Sequence, residues 1–187
     1  MTSLRDHDRA PRDTERVVLL DPAGAAIGAA PKATVHTDAT PLHLAFSCHL
    51  LDAEGRMLVT RRALTKAAWP GVWTNACCGH PAPGETVEAA VHRRVAQELG
   101  ASARDLTLVL PDFAYRAVDA SGIVEHERCP VFVGRLEGGL RPDPAEVLEW
   151  QWVEPERLLA GIRATPWAFS PWLVLQAEQL PALGGAA

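Results

Sequence analysis

The sequence predicts an α/β sandwich in one domain, built on a mixed sheet. Three observations carry the prediction: strand-like and helix-like hydrophobic periods alternate along the chain, 187 residues suit a single domain, and glycine or proline punctuates the changes of period. Val17 to Leu20 reads as a short strand, closed by the turn residues Asp21, Pro22 and Gly24, and small residues then lead to Pro31. From Leu42 the chain alternates, with Leu42, Leu44, Phe46, Cys48 and Leu50 on one face and His43, Ala45, Ser47 and His49 on the other, which predicts one strand. Asp52 to Gly55 is a turn, and Met57 to Arg61 its hairpin partner. A short strand at Val72 to Ala76 follows the Trp69, Pro70, Gly71 loop, and Pro81, Pro83 and Gly84 then exclude regular structure. Val87, Val91, Val95 and Leu99 repeat at helical spacing, with Thr86 placed to cap the start and Gly100 to end the helix. Strands are predicted at Leu106 to Leu110, Phe113 to Val118, Ile123 to Leu136 and Val147 to Val153. Pro155 to Ile162 and Pro171 to Leu180 read as helices with proline in the first turn. The expected organisation is a disordered arm at 1–14, a domain at 15–180 and a flexible tail at 181–187.

Composition excludes several functions. With 18 basic against 23 acidic side chains and a formal charge of -5, the chain lacks the basic field of a general nucleic-acid or membrane-surface binder. An anionic ligand therefore has to meet a local cluster of cations. The apolar runs fall far short of the roughly 18 residues that span a bilayer, and the charged start lacks an apolar signal core, which reads as a cytoplasmic protein. Four cysteines, with Cys77 and Cys78 adjacent, make a poor disulfide framework, so reduced thiols are expected.

Spacing carries the remaining chemistry. Glu125 and Glu127 would lie on one strand face, about 6.5 Å apart, able to chelate a metal or to divide acid and base roles; taken alone, a solvated strand face is the commoner explanation of such a pair. Cys78 and His80 leave a strand end, where reactive groups are exposed, although a small buried thiol with a surface histidine fits the same residues. His36 and His43, with Pro41 between them, match no standard zinc spacing. Gly79, Glu85, Arg93, Val95, Glu98 and Gly100 follow a stricter frame, which resembles the Nudix box and implies a Nudix-type α/β/α sandwich. Arg94 and Gln97 stand where that box carries carboxylates, leaving Glu98 alone, so the frame resembles a Nudix fold without its hydrolase site. Arg94 and Glu98, one helical turn apart, share a face.

Beyond the box, the run from His36 to Phe46 resembles the type I isopentenyl-diphosphate isomerases. So do Thr60 to Leu64 with Lys66, Trp69 to Asn75, Cys78 to Pro81, Tyr115 to Ala117, Ser121 to Glu125, Glu127 with Cys129 and Pro130, and Thr165 to Trp172. The likeness spans about residues 17–178. It implies one metal site formed by His36, His43, His80, Glu125 and Glu127, holding zinc, manganese or magnesium; nitrogen-rich ligation suits zinc, manganese or Fe(II) better than magnesium. It also implies that Glu98 holds a second ion, magnesium, against the substrate's diphosphate. Lys32 and Lys66, the only lysines beside 16 arginines, would join Arg62 and Arg94 as the local cation cluster. The implied reaction is a 1,3 shift of a carbon double bond through a tertiary carbocation, with Cys78 on one face, Glu127 assisted by Tyr115 on the other, and Trp172 over the cation. Trp73 would line the same cavity. The expected partner is isopentenyl diphosphate, with no nucleic acid and no membrane, the protein being a monomer or weak dimer. Two rivals make different predictions: a Nudix diphosphohydrolase, and a zinc-stabilised binding module in which the histidines are structural.

Overall fold

The computed structural model describes residues 15–183 and places two sheets side by side in one α/β domain. The first sheet has the order β2(Ala26–Pro31), β1(Arg16–Leu20), β3(His43–Leu44), β10(Val124–Arg128), β9(Ala114–Val118). The second runs β12(Val147–Val153), β5(Met57–Arg62), β4(Phe46–Leu51), β11(Val131–Glu137), β8(Ser102–Leu110), with β6(Trp73–Thr74) paired to β5 and β7(Cys77–Gly79) to β4.

Two strands predicted as continuous are each split between the sheets. The Leu42 to Leu50 strand breaks at Ala45, and the Ile123 to Leu136 strand breaks at Cys129 and Pro130. Pro130 has no N–H to give a ladder, which ends pairing there. The two broken strands run parallel throughout, Glu127 beside His43 in the first sheet and Val131 beside Ser47 in the second. Ala45 N–H donates to Arg128 O and Ser47 N–H to Pro130 O, so the backbones stay joined across the break.

Helices cover both faces of the second sheet. Phe46, Cys48 and Leu50 pack toward α2(Val87–Leu99), with Val91, Val95 and Leu99 in one core. Met57, Val59 and Val131 pack toward α3(Pro155–Ala164) and α4(Pro171–Ala177), with Leu158, Ile162 and Leu173 in a second core. The caps of α2 form as the sequence predicts: Thr86 Oγ1 accepts from Ala89 N, and Gly100 sits left-handed at φ 60°.

Other boundaries differ from the sequence reading. Ala26–Pro31 is a strand, because its small residues pair as a hairpin with β1 around the Asp21 turn. A one-turn helix α1(Lys32–Val35) follows it, and β8 begins at Ser102 rather than Leu106 by pairing with β11. The strand predicted at Val72 to Ala76 is interrupted at Asn75, whose side chain donates to the Cys48 and Cys77 carbonyls. The last helix stops at Ala177; Pro181–Leu183 then makes a further 3-10 turn with Leu183 buried, where a tail from Pro181 was expected. The arm at 1–14 lies outside the described residues. No helix among the described residues is long and apolar enough to cross a membrane.

Candidate active site

The paired strand breaks bring residues distant in sequence together. β3 supplies His43 and β10 supplies Glu127 as register partners, β10 also supplies Glu125, and His80 follows β7. His36 stands at the end of α1. Strand alternation puts Glu125 and Glu127 in the interior, while His126 between them is half-buried.

These groups converge. One ligand atom from each of His36, His43, His80 and Glu127 lies within 4.8 Å of the other three. Glu125 stands beside this set, its Oε2 3.2 Å from His36 Nε2. His43 Nδ1 donates to Pro41 O at 2.9 Å, and its Nε2 faces His80 Nε2 at 3.2 Å. Glu127 Oε1 is 3.2 Å from His80 Nε2 and 3.5 Å from His43 Nε2. His36 Nε2, His80 Nδ1 and Glu125 Oε2 are buried without hydrogen-bond partners. Imidazole nitrogens and carboxylate oxygens buried this close together form a donor set that fits a divalent metal.

Electrostatics separates the carboxylates. Burial alone would raise Glu127, but hydrogen bonds from His43 and His80 outweigh it and hold the carboxyl well below its ordinary range. Burial and the neighbouring Glu127 charge raise Glu125. His80 is pushed down to about 3 by burial, only partly offset by Glu127. His43 is raised, since contact with Glu127 exceeds the opposing effect of burial. Tyr115, raised far up by burial and by Glu127, keeps its proton and donates it to Glu127 Oε2 at 2.9 Å.

Cys78 lies in β7, where its sulfur donates to Asn75 Oδ1 at 3.2 Å and sits 3.6 Å from Ser47 Oγ. Burial pushes the thiol up to about 11 despite those hydrogen bonds. Trp172, buried on α4, links the two halves of the site. Its indole N–H donates to Asn75 Oδ1 at 3.0 Å, and its ring lies 5.8 Å from that of Tyr115. Arg62 holds its guanidinium 5.3 Å over the Trp172 ring, and Trp69 meets that ring edge-on at 5.8 Å. Trp73 is half-buried against the same core.

Each of the four cations Lys32, Arg62, Lys66 and Arg94 already has a partner within the protein. Lys32 pairs with Glu15 at 2.6 Å, Lys66 with Glu146, and Arg94 with Glu98 at 2.5 Å, Glu15 at 3.3 Å and Glu146 at 3.4 Å. Arg62 donates to the carbonyls of Ala68 and Trp69. Burial works upward on Glu146, but the charge and hydrogen bond of Lys66 with the charges of Arg94 and Lys32 together outweigh it and lower the group to about 2. Lys32 is lowered by burial and by the Arg94 charge, which together exceed the pull of Glu15. A cavity of about 20 Å³ separates this cluster from Cys78, lined by Arg62, Lys66, Cys77, Cys78, Glu98 and Glu146, and it has room for about one water.

The remaining box residues are structural. Arg93 makes a two-pronged pair with Glu85 at 2.7 Å and donates to His80 O, tying the loop to the helix. Gly79 is required because a Cβ there would stand 2.8 Å from Arg94 Cγ. Sequence reasoning missed Glu15 and Glu146 as partners of the cations, and Asn75 as the shared acceptor of Cys78 and Trp172. Asn75 lies inside a recognised run, whereas the two glutamates carry no local signal.

The NUDIX domain model matches residues 41–173, and the chain belongs to that family. Solved structures share the fold: DR0079 from Deinococcus radiodurans has a TM-score of 0.69 at 19% identity, covering 88% of this chain and 98% of that one. The MutT protein from Methanosarcina mazei Go1 has a TM-score of 0.58 at 18% identity, covering 74% and 92%. Closer in sequence are curated isopentenyl-diphosphate Delta-isomerases. The one from Leifsonia xyli subsp. xyli is 62% identical over 173 residues, 91% of this chain and 94% of its own length. That from Agromyces mediolanus is 63% identical, covering 92% and 84%. Within the Nudix fold, the chain belongs to the isopentenyl-diphosphate Delta-isomerase family.

Proposed function

We propose that this protein interconverts isopentenyl diphosphate and dimethylallyl diphosphate, with Cys78 and Glu127 as the proton-transfer groups. The observation that carries the reading is that the Cys78 thiol and the Glu127 carboxyl group are both linked to one buried tryptophan, Cys78 through Asn75 and Glu127 through Tyr115. An unactivated alkene is a very weak base, so a proton must be given at one carbon and taken at another within one enclosed site. In one direction Cys78 gives a proton to the terminal alkene carbon, leaving a tertiary carbocation. Glu127, steadied by Tyr115, removes a proton from the carbon on the diphosphate side, and the double bond forms there. Microscopic reversibility exchanges the roles in the other direction. Trp172 stabilises the cation; its ring already accepts the Arg62 guanidinium, and a desolvated contact of this type contributes about 2 kcal/mol.

His36, His43, His80 and Glu127, with Glu125 beside them, would hold a divalent ion, zinc, manganese or magnesium. When bound, the ion supplies positive charge that keeps Glu127 ordered and ionised. Lys32, Lys66, Arg62 and Arg94 would take the diphosphate, with magnesium at Glu98. The cavity beside Cys78 holds about one water, so its walls separate when the five-carbon chain enters. The ligand is a small soluble anion, and we read the protein as cytoplasmic.

Incubation of the metal-loaded enzyme with isopentenyl diphosphate in deuterated water, followed by NMR, tests the reading. Deuterium in the methyl groups of dimethylallyl diphosphate is the expected result. Free phosphate without isomer would overturn it in favour of a hydrolase.

A further inference from the structure

A buried polar chain lies behind Cys78, outside the groups assigned above. Ser47 and His49 on β4 and Gln176 on α4 are 0%, 1% and 0% exposed. His49 Nε2 is 3.0 Å from Gln176 Oε1, Gln176 Nε2 donates to Ser47 Oγ at 2.9 Å, and Ser47 Oγ is 3.6 Å from Cys78 Sγ and 3.5 Å from Cys129 Sγ. Burial pushes His49 down to about 4, so at neutral pH the ring has one proton, and donating it to Gln176 Oε1 fixes which end of the amide faces Ser47. Across the sulfur stands Asn75 Oδ1, its amide fixed in turn by donating to the Cys48 and Cys77 carbonyls at 3.0 and 2.8 Å.

Both partners of the sulfur are thus held from α4. Trp172 donates to Asn75, and Gln176, one turn further on, donates to Ser47. Residues four apart share a helix face, which lets one short helix reach both sides of the thiol. Three polar side chains in a core are tolerated only when each is paired, and a fully paired set is rigid.

We propose that Gln176, braced by His49, is a positioning residue for Cys78 that acts through Ser47. The inference rests on the reading of Cys78 as a proton-transfer group. Sulfur held between Asn75 Oδ1 and Ser47 Oγ keeps one direction toward the alkene, and transfer to carbon is sensitive to small misplacement of the donor. The helix that places the ring at the cation therefore also aims the sulfur.

The test is steady-state kinetics of the metal-loaded enzyme on isopentenyl diphosphate, with metal content and thermal midpoint measured on the same samples. Gln176→Glu keeps the shape and the acceptor for His49 but removes the N–H that Ser47 accepts. It and Ser47→Ala are each expected to lower kcat about tenfold with KM held within about twofold. The double variant is expected to be no slower than either single one, because both act on one sulfur. Ser47→Thr, which keeps the hydroxyl, is expected to recover most of the rate, and it decides the matter against Ser47→Ala should Gln176→Glu fail to fold. Unchanged kcat in folded Gln176→Glu and Ser47→Ala, beside an inactive Cys78→Ala, would overturn the positioning role alone. A Cys78→Ala enzyme of near-normal rate would overturn the assignment of Cys78 itself, and the positioning role with it. Parallel losses of kcat, KM and thermal midpoint that Ser47→Thr does not mend would reduce the chain to packing.

Discussion

The two ends of the site solve opposite electrostatic problems. At the imidazole end, His36 Nε2 and Glu125 Oε2 are buried without a hydrogen bond, so the protein alone leaves that end incomplete. At the cation end, Lys32, Lys66 and Arg94 are already matched by Glu15, Glu146 and Glu98. Under the proposed reading, a positive ion at the first end replaces the close contacts among His43, His80 and Glu127 and meets further atoms that have no hydrogen bond of their own. Under that same reading, Lys32, Lys66 and Arg94 take a diphosphate by exchanging carboxylate partners for phosphate oxygens, so part of the binding energy goes into breaking pairs. The ends also differ in how part of each is held: His43 is fixed beside Glu127 at the paired strand break, whereas Glu15 and Lys32 at the other end remain partly exposed.

The sharpest way to break this comparison is His43→Ala. It removes a fully buried ligand, and turnover should fall by about a thousandfold or more with the bound metal lost, as read by kinetics and elemental analysis. Retention of metal and rate would mean that the cluster is not the metal site. At the other end, Lys66→Met should act mainly on affinity, raising KM on the order of tenfold with a smaller change in kcat, as expected for one charge-assisted contact to phosphate.

Acid denaturation separates the ends further. Glu146 is lowered from 4.5 to about 2, so its pairing stabilises the fold fully above the ordinary glutamate value and is lost as pH falls from about 4.5 to 2. Unfolding free energies from urea titrations across that window should drop more in the parent protein than in Glu146→Gln, by about 2 kcal/mol after solvent screening. The smallest effect is expected from Glu15→Gln. Freed from this partner, Lys32 and Arg94 should bind diphosphate with a KM about threefold lower; a higher KM would show that Glu15 aligns the cations rather than competing for them.

How much of this was legible in the sequence depends on how local each cause is. The α2 helix with its Thr86 and Gly100 caps could be read directly, since period and capping act within a few residues. The split strands could not: alternation continues through Ala45, and only pairing with the neighbouring broken strand moves the chain to a second sheet. Pro130 was a readable warning in the other strand. Ser47 and His49 fall on the face opposite Phe46 and Cys48, and alternation does not tell that α4 buries that face as well. The proposed metal ligands come from four separate segments with no standard spacing, so resemblance rather than pattern assembled them. Glu15 and Glu146 meet their cations across long stretches of chain, and nothing near either residue announces the pairing.

Metal stoichiometry measured with and without substrate tests the contrast between the two ends most directly. The protein dialysed against a divalent metal alone should retain one ion per chain, and a second should appear only when a diphosphate is added with magnesium. Two ions retained without diphosphate, or none at all, would contradict the account.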